Sequence, residues 1–135
     1  MKIVATRLVP LVLPLVLFAV PLRSEMTVKD YQKFTSSNDV VLTGTTKAYV
    51  HGLGEGVEWA ETSAELLNPD GVRLFCLPSK LSLNEDNFVD LLDQQIKREA
   101  AETTRDKLEK SYIGILLVKA LRETFPCQDK SYQKK

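Results

Sequence analysis

Few side chains in this sequence have reactive potential: Cys76, Cys127, His51 and a run of carboxylates at Glu55, Glu58, Glu61 and Glu65. Two cysteines can hold a metal, attack a substrate or bond to each other. A structural zinc site needs four nitrogen or sulfur ligands, with cysteines closely paired along the chain, and neither cysteine has such a companion. Attack on a substrate needs an activating base, and His51 is the single imidazole in the chain. Pairing is the most economical reading, because an even cysteine count in an oxidising compartment forms bridges. A cross-link closing a loop of about 50 residues stabilises a fold by roughly 4 kcal/mol in the chain-entropy account.

The acids recur every three or four residues, which places them on one flank of a helix where solvation is their ordinary role; acid/base catalysis is the lesser reading. His51 falls off the apolar stripe of the same helix and reads as a surface histidine. The run Gly52-Leu53-Gly54-Glu55-Gly56 looks like a nucleotide loop, yet it lacks the preceding strand and the following lysine. Three glycines inside a helix cost about 1 kcal/mol each relative to alanine, so close approach of another backbone is expected there. That approach comes either from packing within the chain or from a helix crossing at a subunit interface. No catalytic residue, cofactor site or metal site is expected.

The oxidising compartment is read from the N-terminus. Lys2 and Arg7 precede an apolar run from Leu8 to Val20, the order of a secretory leader. The rival is a membrane anchor, which needs about 20 apolar residues; this run is shorter and interrupted by Pro10, Pro14 and Pro21. The expected division is a signal peptide at 1–24, cut after Ser24, and a single domain at 25–135. With no cysteine near the cut there is no acceptor for lipid, and a free periplasmic or secreted protein with no stable membrane insertion follows. Of 18 basic residues, Lys2, Arg7 and Arg23 fall in the leader, which has no acid, leaving 15 against 18 acids. That balance argues against nucleic acid, whose binding requires clustered lysine and arginine, and favours a basic protein partner.

The elements that must position these groups are helical. Val28, Tyr31 and Phe34 mark a short helix within 25–39. From about Val41 to Leu67, the residues Tyr49, Val50, Leu53, Val57, Ala60, Ala64 and Leu67 share a stripe roughly 100° wide, predicting a long amphipathic helix with that face buried. Asn68-Pro69-Asp70-Gly71 ends it. A minor extended stretch near residues 72–76, with room for a small hairpin, leads to a capping-box spacing at Ser82–Glu85 and a third helix reaching about Ala101. A break is expected in the charged segment from Glu102 to Lys110. The last helix, Ser111 to Thr124, is apolar nearly all round and predicted to be the most buried. The fold class is therefore all-α: a small four-helix, bundle-like domain with one disulfide.

Trp59 lies well away from the apolar stripe of the long helix. Either the N-terminal helix covers it, or it is an anchor of the type enriched at interface hot spots.

Phe75-Cys76-Leu77-Pro78 and Ala120-Leu121-Arg122-Glu123-Thr124-Phe125-Pro126-Cys127, together with Tyr49-Val50-His51-Gly52 and the leader, resemble the Rap/Tai family of type VI secretion amidase immunity proteins. The likeness runs from about Val40 to Cys127. It implies a periplasmic all-helical protein, often a homodimer, that binds a cognate peptidoglycan amidase and occludes its cleft, and it implies that Cys76 and Cys127 pair. The docking surface varies with the toxin in such proteins. Candidate contacts here are Trp59, Glu55 and Glu58 on the long helix, and Arg98, Glu99 and Glu102 in the charged connection. The alternative expectation is a small periplasmic chaperone or stress-protective binding protein.

Overall fold

A computed structural model describes residues 25–127. The expected leader at 1–24 and the C-terminal residues 128–135 lie outside the described residues. The chain forms five helices: α1 (Val28–Thr35), α2 (Val40–Leu67), α3 (Glu85–Glu102), α4 (Arg105–Glu109) and α5 (Ile113–Thr124). The all-α bundle read from the sequence is what forms. The charged segment expected to break the chain contains α4, a single short turn of helix whose Leu108 is buried against the core.

Local chemistry accounts for most boundaries. At α1 the Thr27 hydroxyl accepts from the Asp30 N–H while Asp30 returns a bond to the Thr27 N–H, satisfying two otherwise orphaned donors. Asp39 caps α2 by accepting from Val41 and Leu42. The reciprocal cap of α3 is built on Asn84 and Asn87 rather than on Ser82 and Glu85. Asparagine is as good a cap as serine, and starting at Asn84 leaves Leu83 free to pack on the core. α5 has no side-chain cap. Its first donor, the Ile113 N–H, goes to the Met26 carbonyl at 3.0 Å, and the Val28 N–H goes to Ser111 at 2.9 Å. This Thr27–Tyr112 bridge ties the start of α1 to the start of α5, a long-range pairing with no signature in local periodicity.

α3 packs most extensively against α5 and then against α2, so it is the central helix. Phe88, Leu92 and Ile96 from α3 meet Ile113, Leu116, Leu117 and Leu121 from α5, with Val50 of α2 and Val28 and Tyr31 of α1 closing the core. α5 has the largest share of buried residues of the five helices, as expected, although one face is open and Ile115 stands in solvent. Gly54 is the point where α2 passes over α3: a Cβ built there would lie 2.4 Å from the Phe88 ring. Of the three closely spaced glycines, this one serves intrachain packing, whereas Gly52 and Gly56 face open space.

The buried polar residues Thr46, Glu61 and Gln95 are hydrogen-bonded. The Tyr31 hydroxyl donates to Asp93 at 2.8 Å, and burial together with that carboxylate pushes the phenol well above its ordinary range, so it remains a donor. Cys76 and Cys127 are bonded, joining the connection after α2 to the residues after α5. The stretch at 72–76 makes no strand and no hairpin. Its backbone is held instead by the Cys76 N–H bonding to the Phe125 carbonyl at 2.8 Å and by insertion of Phe75 into the core. No helix among the described residues is long and apolar enough to cross a membrane.

Candidate docking surface on the second helix

α2 has 28 residues, so it spans about 42 Å at 1.5 Å per residue. Its buried residues are Thr46, Val50, Gly54 and Glu61. Beyond Glu61 every residue of the helix is exposed, because no other helix extends far enough to cover it. This corrects the sequence expectation: Ala60, Ala64 and Leu67, predicted to be buried with Val50, are solvent-facing, and Leu67 is 87% exposed.

The charges of α2 are segregated. Lys47, His51, Glu55, Glu58, Glu61 and Glu65 occupy one arc of about 120°, placing residues 100° apart. The outward face, through Val41, Thr45, Ala48, Gly52, Gly56, Trp59, Ser63 and Leu66, bears no charge and is exposed along its whole length. Trp59 is 73% exposed, so the N-terminal helix does not cover it. Leu66, Leu67 and Val72 extend the apolar surface past the end of the helix. Lone exposed apolar residues are ordinary; here Trp59, Leu66, Leu67 and Val72 are exposed together at the C-terminal end of α2.

The acids form the adjoining wall. Glu61, expected on a solvated flank, is 7% exposed. Its carboxylate accepts the Leu74 N–H at 2.8 Å and the Arg73 Nε–H at 3.4 Å, so it anchors the connection that follows α2. Arg73 also reaches Glu65 at 2.9 Å. Between this wall and Phe75, Leu77, Pro78 and Leu81 lies an open cleft of about 400 Å³. Glu58 lines it, and its Oε1 is buried without a hydrogen-bond partner. His51, at the other end of the arc, contacts Glu55 at 3.7 Å and lies against the Phe88 ring, so it is half-buried rather than a free surface imidazole.

Burial, and secondarily the neighbouring Glu55, raise the Glu58 carboxyl above its ordinary value of 4.5, with His51 opposing. A carboxyl raised on folding destabilises the fold once it ionises. The penalty is absent below the unfolded value and fully present above the raised folded value. Glu58→Gln is therefore expected to stabilise the domain at pH 7 and to lose that advantage as the pH falls through 4.5, as read by urea unfolding at the two pH values.

The other three sequence candidates sit elsewhere. Arg98 donates to Gln95 at 2.5 and 3.1 Å and approaches Glu123 at 3.5 Å. Glu99 accepts from Gln95 and from Lys119, whose ammonium holds its carboxyl below the usual range. Both therefore fasten α3 to α5, and Glu102 ends α3 in solvent. No hydrogen bond or ion pair among the described residues joins this group to Trp59, Glu55 and Glu58. No cluster of three metal-ligating side chains occurs among the described residues.

Comparison with family models, curated proteins and solved structures finds no match. The surface of α2 therefore carries the functional argument. Sequence reading picked out Trp59, Glu55 and Glu58; it missed Arg73, Leu66 and Val72, whose roles depend on how the 68–81 connection folds back beneath α2.

Proposed function

We propose that this chain is an exported immunity protein that binds and occludes a peptidoglycan amidase, acting by stoichiometric binding rather than by catalysis. The observation that carries the reading is the uncharged outward face of α2 with Trp59 exposed in its C-terminal half, beside an acid-lined cleft. A blocking protein needs a rigid shape and a few desolvated anchors, and an aromatic flanked by aliphatics and carboxylates supplies both. The resemblance of the Cys-Leu-Pro and Phe-Pro-Cys motifs to the Rap/Tai family gives the target class and the periplasmic location. The bridge between Cys76 and Cys127 suits that compartment.

One feature favours self-association as an alternative use of the same face. Gly44, Ala48, Gly52 and Gly56 recur every fourth residue on the exposed side of α2, and nothing lies within 4 Å of the positions a Cβ would take at the three glycines. A helix so lined admits close approach of a second copy about a two-fold axis.

The test is to mix the purified mature chain with the amidase encoded beside it, measuring complex mass and peptidoglycan hydrolysis. A complex of defined stoichiometry that abolishes hydrolysis is expected, and Trp59→Ala should weaken it by roughly 30-fold, the effect of losing a hot-spot aromatic. Absence of both binding and inhibition would end the immunity reading. Weak binding to many unfolded proteins, with no selectivity for the amidase, would establish the chaperone alternative instead.

A further inference from the structure

We propose that the cleft beneath the C-terminal half of α2 receives a basic side chain, lysine or arginine, presented by the protein partner. This rests on the reading that the chain docks a protein through that end of α2.

The walls of the cleft select this chemistry. One side presents carboxylates and the other presents Phe75, Leu77 and Leu81. Arg73 is the one cation lining the cleft, and it is consumed by Glu61 and Glu65. Glu61 is further occupied by the Leu74 N–H. Glu58 is left with a buried oxygen that no donor reaches. An apolar ligand would remove water from that carboxylate and offer nothing in return, which is costly for a charged group. An acidic ligand would be repelled. Lysine and arginine combine an apolar stem with a cationic, donor-bearing head, and so match both walls at once. Arg73 already demonstrates the fit from within the chain, its guanidinium spanning two carboxylates at the same wall.

The experiment titrates acetyl-arginine amide and acetyl-lysine amide into the isotope-labelled mature chain at constant ionic strength, following backbone amide shifts. Acetyl-citrulline amide and acetyl-norleucine amide are the neutral controls. Saturable shifts confined to Glu58, Glu65 and the amides from Leu74 to Leu77 are expected for the cationic probes and not for the controls. Glu58→Gln, and independently Glu65→Gln, should each weaken the apparent affinity by roughly threefold or more, while the spectrum reports that the variant is folded. Equal shifts with acetyl-norleucine amide would show a merely apolar cleft. Non-saturating shifts spread over all exposed acids would show simple ion pairing. Unchanged affinity in both variants would remove the assigned role of the carboxylates. Each of these results overturns the proposal. Amidase inhibition is measured separately, so a chain that binds the cationic probes but no amidase refutes the immunity reading alone, and the converse refutes the cleft alone.

Discussion

Replacing Cys76 and Cys127 by serine is expected to lower the stability of the domain by roughly 4 kcal/mol, the loop-closure term for a cross-link of this span. The two cysteines are 51 residues apart in sequence. For a domain whose whole stability is about 5–15 kcal/mol, that loss is large enough to bring many such folds near their midpoint. The structure specifies where the effect should appear first. The segment between α2 and α3 has no regular secondary structure. It is held to the bundle by the bridge, by Phe75, by the Cys76 N–H bonded to Phe125 and by the Glu61 carboxylate. Hydrogen exchange at Leu74 and Cys76 should therefore accelerate more than exchange at Leu92 or Leu117 in the core. Urea unfolding of the double-serine variant checks the magnitude, and a loss below about 1 kcal/mol would show that the packing of Phe75 suffices without the bridge.

Gly54→Val is expected to destabilise the domain by about 3 kcal/mol, at the upper end of overpacking effects. The Phe88 ring is fully buried and lies where the new Cβ would go, so either the ring leaves its place or α2 separates from α3. Neither movement is local. Phe88 also meets His51, and the α2–α3 contact is the second largest between helices. The control is Gly56→Ala, two residues along, where a Cβ meets nothing. That substitution removes unfolded-state freedom and improves helix propensity, and should stabilise by about 0.5–1 kcal/mol. Chemical denaturation of the two variants should thus give shifts of opposite sign. Equal effects would mean that the glycines act through helix propensity alone, without the Phe88 contact.

These two glycines show what a local reading of the chain reaches. Their cost inside a helix was visible in the sequence, and so was the need for something to offset it. Which of them touches another helix was not visible, because that depends on where α3 crosses. Trp59 behaves likewise: its phase placed it off the apolar stripe, but only the position of α1 decided that nothing covers it. For Glu61 the local argument pointed the wrong way. A glutamate on a charged flank is ordinarily solvated, and this one is buried because the chain reverses after Asn68 and brings Arg73 and the Leu74 N–H beneath it.

By itself the sequence determined the helical character of the chain, the positions of the long helix and of α3 and α5 to within a few residues, and the pairing partners available to its two cysteines. These follow from capping chemistry, 3.6-residue periodicity and composition, all of which act over a few residues or on the chain as a whole. The tertiary structure alone decided which face of α2 is covered, that its last turns project beyond the bundle, and that a cleft forms where the 68–81 connection folds back. Burial is set by the reach of the neighbouring elements, and α1, α3 and α5 are each shorter than α2, so the apolar residues past Glu61 have no helix to meet.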